Sequence, residues 1–214
     1  MATLEHVPAA TVVLSRWRPT PARLFRLLVG LAVFGVGEAL LVASDLGNSP
    51  WTVLAEGVAK HTFLAVGGAT VVISMLVLCA WVPLRQRPGL GTILNALLIG
   101  VAIDVTLALL PDHFALATRW VFVPSGIALV SIGSGLYLTS FLGPGPRDGL
   151  MTGLHSRTGR SLRLVRACIE LSVVAAGFAL GGTVGVATLA FALLIGPGVQ
   201  LFVHRMGGSD TRAL

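Results

Sequence analysis

Residues 141–150 read FLGPGPRDGL, and residues 45–54 read DLGNSPWTVL. The two stretches lie 96 residues apart, with Leu, Gly, Pro and Leu at the same places in both. Each ends an apolar run with a Gly/Pro interruption. Without gaps, the correspondence extends from residues 31–104 to residues 127–200, with 21 identities in 74 positions, about 28 %. Chance matching in this composition gives only about 8 %, so the chain carries an internal repeat. Its other strong block is ALLIG, at 96–100 and again at 192–196, and Gly89 and Thr92 match Gly185 and Thr188.

The composition says what is repeated. The chain is 55 % hydrophobic and 11 % charged, with a mean hydropathy of +0.88. A soluble domain carries about 25 % charged residues. Six apolar runs, at about 24–44, 63–82, 92–110, 120–141, 164–180 and 184–203, read as transmembrane helices, for which about 20 residues cross roughly 30 Å of hydrocarbon. The expectation is an all-α membrane protein with six transmembrane helices. The first run follows basic residues, as a signal peptide would, but it is long for one and has a counterpart in the second half, so it belongs to the fold.

The net charge of +6 does not point to nucleic acid, because the basic residues sit between the apolar runs. With six spans, thirteen of the fifteen Lys and Arg residues fall on one side, and only Lys60 and Arg119 on the other. The positive-inside rule then puts both termini in the cytoplasm. The expected organisation is a basic tail (1–22), a first three-span repeat (23–111), a second (119–205) and a short tail (206–214). Three spans per copy is an odd number, so the second copy crosses in the opposite sense. That is a 3+3 inverted-topology repeat, an architecture that recurs in transporters and channels.

LGNSPWTVLAEGV, GLGTILNALLIGVAID, LGPGPRDGLMTGL and GGTVGVATLAFALLIGPGVQ resemble the YczE/YitT-type family of bacterial integral membrane proteins. The likeness covers most of residues 24–204, and its most specific block is GPGPRDGLMTGL. The first copy departs from the pattern, with Thr52 where an Asp is common. The resemblance implies a bacterial cytoplasmic membrane protein and leaves its activity open.

Within each break, Gly47 or Gly143 is suited to end the preceding span in a left-handed cap. Pro50 or Pro146 is suited to the first turn of a new helix, where its missing N–H costs nothing. Each half therefore reads as span, break, short non-spanning helix (about 51–60 and 147–156), span, span. Helix N-termini suit anions. Arg147 would strengthen such a site, or serve as one more cytoplasmic charge; Asp148 is expected to cap its own helix.

Charges inside spans default to functional readings. Glu38 lies near the middle of the first run, and Asp45 two turns further along the same face. Asp104 lies about 21 Å from the cytoplasmic edge, at a depth similar to Glu38. If the two meet, their repulsion raises one pKa and lets the pair hold a proton near neutral pH; the plainer reading is a packing role for each. Their repeat mates are Ser134 and Gln200, so polarity is kept while charge is lost. Asn95 is suited to bond a neighbouring helix. Arg166 and Glu170 suit an i,i+4 ion pair, and Cys79 and Cys168 suit packed thiols.

No HExxH, GxSxG or Walker pattern occurs, so neither enzyme activity, cofactor nor metal is expected. The leading expectation is a small-solute transporter or permease. Its site would lie between the inverted halves, with the bilayer and an unknown small solute or ion as partners and an oligomer allowed. The alternative is a non-transporting accessory protein that assists export or biosynthesis machinery.

Overall fold

The computed structural model describes residues 15–111 and 113–207; most of the expected N-terminal tail, and residues from 208 on with Arg212, lie outside the described residues. Among the described residues the chain is all-helical and holds no strand: α1 (Pro21–Ser44), α2 (Pro50–Ala59), α3 (Val66–Leu84), α4 (Leu90–Leu109), α5 (Leu116–Leu138), α6 (Pro146–Thr158), α7 (Leu162–Ala179) and α8 (Val186–Gly207). Five helices, α1, α3, α4, α5 and α8, are long and apolar enough to cross a membrane. The sixth expected span, α7, is only 18 residues long and carries Arg163, Arg166 and Glu170 within them, whereas each of the other five contains an 18-residue apolar window with at most two charged residues. The short helices after both breaks form where expected, and Pro50 and Pro146 open α2 and α6.

α1 and α5 form the centre of the molecule. They approach closely because glycines face each other. A Cβ on Gly37 would lie 2.7 Å from the Gly126 carbonyl, and one on Gly30 would lie 2.9 Å from that of Gly133. Gly30 and Gly37 are themselves the repeat mates of Gly126 and Gly133, so the crossing pairs each glycine with the mate of the other. α4 packs on α1 and α8 on α5; α2 packs on α3 and α7, and α6 packs on α3 and α7. α3 also packs along α4, but no comparable packing joins α7 to α8.

The two breaks are completed by opposite halves. The Leu46 carbonyl accepts from the Ala187 amide of α8 (3.0 Å), and the Leu142 carbonyl accepts from the Gly91 amide of α4 (2.8 Å). These contacts coincide under the 96-residue shift. So do two arginine clamps: Arg23 donates to the Ser140 and Phe141 carbonyls at the end of α5, and Arg119 donates to the Ser44 and Asp45 carbonyls at the end of α1. The correspondence therefore reaches beyond the ungapped match, out to Arg23 and Arg119.

Two expectations are corrected. Gly47 and Gly143 do not supply the left-handed caps. Asp45 (φ 50°) and Phe141 (φ 54°), also repeat mates, take that conformation. The glycines come two residues later, at φ 119° and 118°, a conformation other residues rarely adopt. They also touch the opposite half: a Cβ on Gly143 would lie 2.8 Å from Thr92 Oγ1, and one on Gly47 2.7 Å from Thr188 Oγ1. Cys79 and Cys168 are exposed rather than packed, because they lie on the outward faces of α3 and α7.

Candidate functional site

A cavity of about 270 Å³ lies where the two breaks meet the central pair of helices. Ser49, Pro50 and Trp51 enter it from the first break, and Gly145, Arg147 and Asp148 from the second. Glu38 (α1), Asn95 (α4), Tyr137 (α5), Arg166 and Glu170 (α7) and Gln200 (α8) supply further polar groups, set among Phe34, Ile99, Val130, Phe191 and Ile195. Both α7 and α8, which do not pack on each other as α3 and α4 do, contribute to the lining of the cavity.

Glu38 is the most constrained group in it. The residue is 1 % exposed. Its Oε2 accepts from the Ser49 and Thr52 hydroxyls, both at 2.7 Å. Its Oε1 is buried and, among the described residues, has no hydrogen-bond partner. An unsatisfied buried carboxyl oxygen is costly. Ser49 stands at the N-cap of α2, yet it spends its hydroxyl on Glu38 and leaves the helix uncapped by any side chain.

Arg147 lines the same cavity and is half-buried. Its guanidinium carbon stands 5.2 Å from the Trp51 ring centroid, a cation–π contact. Trp51 and Arg147 are repeat mates, so each meets its own counterpart. The arginine points into the cavity. Burial pushes its guanidinium down from the ordinary value, and Glu38, ahead of Asp148, is the anion that most opposes the push. Among the described residues it makes neither a hydrogen bond nor an ion pair. Asp148 does not cap α6 as expected. Its carboxylate accepts from the Tyr137 hydroxyl instead, and the α6 N-cap, Gly145, has no side chain to offer.

The expected meeting of Glu38 with Asp104 does not occur. Asp104 takes the Gly67 amide on Oδ1 (2.6 Å) and the Gly68 amide on Oδ2 (2.9 Å), holding the start of α3, and it does not line the cavity. Equal depth along two helices does not fix the azimuth of either side chain. Asp104 is nine residues beyond Asn95, about half a turn around the helix, so one faces α3 when the other faces the cavity. Asp45 also lies elsewhere, paired with Arg119 at 2.6 Å near the surface. Of the expected residues, Glu38, Asn95, Arg147, Asp148, Gln200 and Pro50 come together.

Several participants escaped the sequence reading. Arg166 and Glu170 form the expected pair (2.8 Å) but also border the cavity. Tyr137 was signalled only by being the one tyrosine in the chain. Glu56 is a second polar centre, outside the cavity. Its carboxylate accepts from Asn48 Nδ2, the Thr183 amide and the Thr183 hydroxyl, each at 2.7 Å, and pairs with Lys60 at 2.8 Å. Burial alone would raise this carboxyl, but the Lys60 and Thr183 hydrogen bonds together hold it below the ordinary carboxylate range. It ties α2 to the loop before α8.

Comparison with known proteins matches residues 21–204 to a family described as "Family of unknown function (DUF6198)". An "Uncharacterized protein" of Haemophilus influenzae is 43 % identical over 190 residues, covering 89 % of this chain and 87 % of that one. "Uncharacterized membrane protein YczE" of Bacillus subtilis is 33 % identical over 170 residues, covering 78 % and 79 %. "Uncharacterized protein YyaS" of the same organism is 25 % identical over 179 residues, covering 82 % and 89 %. No solved structure matches. Five membrane-length apolar helices and kinship to a membrane protein agree on a multi-pass bacterial membrane protein. With 184 of its residues inside the match, the chain belongs to DUF6198, the YczE-type family of bacterial membrane proteins of unsettled function.

Proposed function

We propose that the protein is a small-solute transporter or permease of the bacterial inner membrane. Its six spans, with α7 as the sixth, form a 3+3 inverted repeat with both termini in the cytoplasm. The solute site is the cavity at Glu38, and the protein carries out no covalent chemistry. One observation carries this reading: a buried carboxylate with an unpartnered oxygen lines a cavity bounded by both helix breaks. In transporters of inverted-repeat architecture, sites lie between the repeats and are lined by discontinuous helices. The mate-to-mate contacts of Trp51 with Arg147, and the exchanged clamps of Arg23 and Arg119, support a two-fold relation between the halves.

The test is uptake and counterflow in proteoliposomes. The wild type is expected to carry a solute, and Glu38→Gln to lose about tenfold or more of that flux while keeping the elution profile and thermal transition of a folded protein. Absence of flux for cations, anions, zwitterions and sugars alike, with folded wild type, would leave the accessory role in its place.

A further inference from the structure

We infer that the cavity binds a small zwitterion, a solute carrying an ammonium and a carboxylate on a compact apolar body, as free α-amino acids do. This inference rests on the reading that the cavity is the solute site, and it names the ligand chemistry.

Of the charged groups in the lining, two of opposite sign are left without hydrogen-bond partners among the described residues. Glu38 Oε1 is a buried acceptor with nothing donating to it. Arg147 is a planar fork of donors, held by the Trp51 face and bonded to no acceptor among the described residues. The other charged groups in the lining already have hydrogen-bond partners: Arg166 pairs with Glu170, and Asp148 accepts from the Tyr137 hydroxyl. A simple cation would meet Glu38 but sit beside an unpaired guanidinium. A simple anion would meet Arg147 but face the bare Glu38 oxygen. A solute with both charges satisfies both groups and adds no net charge to a buried site.

The first turn of α6, whose one acidic residue, Asp148, is engaged by the Tyr137 hydroxyl, favours the same orientation. Its N-cap is Gly145, and no side chain caps its amides. A carboxylate at Arg147 would also lie at the positive end of that helix. The donor to Glu38 must carry a hydrogen, so an ammonium with N–H is required and a quaternary nitrogen is excluded. The volume of about 270 Å³ is at the small end of ligand pockets, and Phe34, Val130 and Phe191 suit an aliphatic body.

The experiment is binding to the full-length protein in lipid nanodiscs by isothermal titration. Its probes are glycine, L-alanine and L-valine, with isobutylamine and isovalerate as valine lacking one or the other charge, and N,N,N-trimethylvaline as valine lacking N–H. L-Valine is expected to bind at least about tenfold more tightly than the last three, the effect of losing one charged hydrogen bond. Glu38→Gln is expected to lose the preference for valine over isovalerate, and Arg147→Ala the preference over isobutylamine. The wild-type comparison stands even if a variant does not fold. Isobutylamine or isovalerate binding as tightly as valine overturns the inference, as does no binding by any of the three amino acids at millimolar concentration. Valine binding without counterflow keeps this ligand class and removes the transport reading. Flux of simple ions without zwitterion binding does the reverse.

Discussion

Gly47 and Gly143 show how much a single position can specify. Each sits at a positive φ that other residues adopt only with strain, and each lies against a threonine of the opposite half. Gly143→Ala is therefore expected to cost about 2 kcal/mol or more, through strain and displacement together, and to lower the thermal transition of the solubilised protein. An unchanged transition would contradict the geometry. Glu56 gives a prediction in pH. Its carboxyl is held below the ordinary value in the folded protein. Its stabilisation is thus complete above the unfolded value of about 4.3 and fades as pH falls through the lower folded one. Glu56→Gln is expected to cost about 1–3 kcal/mol at pH 7 by disturbing the bonds to Thr183 and Asn48. The gap between variant and wild type should close below about pH 4 in thermal melts. A gap that is constant from pH 7 to pH 3 would show that the charge contributes nothing. The sequence revealed Glu38 because a lone acid in an apolar run stands out. It hid Glu56, whose partners Thr183 and Asn48 lie 127 and 8 residues away and meet only in three dimensions.

Helices with matching sequences need not have matching surroundings. Gly100 and Gly196 close the identical ALLIG blocks of α4 and α8. A Cβ on Gly100 would lie 2.4 Å from the Gly67 carbonyl of α3, whereas a Cβ on Gly196 would meet nothing within 4 Å. Gly100→Ala should destabilise by about 1–3 kcal/mol through overpacking. Gly196→Ala should be neutral or gain up to about 1 kcal/mol from helix propensity. Equal effects of the two substitutions on thermal stability would mean that α7 packs on α8 as α3 does on α4. The helices and breaks were readable because hydrophobic length and Gly/Pro placement are local signals. The direction that Asp104 faces was not, since depth along a helix says nothing of azimuth. The difference between α3–α4 and α7–α8 was equally hidden, because the identical blocks give no hint of it.

Across the whole molecule, the proposed inverted arrangement puts the loop after α2 and the loop after α6 on opposite sides of the membrane. Phe63 is almost fully exposed in the first, and Arg160 is exposed in the second. In a background with Cys79 and Cys168 replaced by Ser, an impermeant maleimide is expected to label Phe63→Cys in intact cells and Arg160→Cys only after permeabilisation. Labelling of both from one side would remove the inverted topology and leave the pseudo-symmetric contacts as a record of duplication alone. The repeat was legible from sequence, but the exchange of breaks between halves was not, because an offset match does not say which copy touches which. That exchange bears on how the chain is made. When α1 to α3 have left the ribosome, the Leu46 carbonyl still awaits the Ala187 amide and Glu56 still awaits Thr183, more than a hundred residues downstream. The first half is therefore born incomplete. It waits in the bilayer as an open assembly until the final helix arrives, so the last segment synthesised is the one that locks the first.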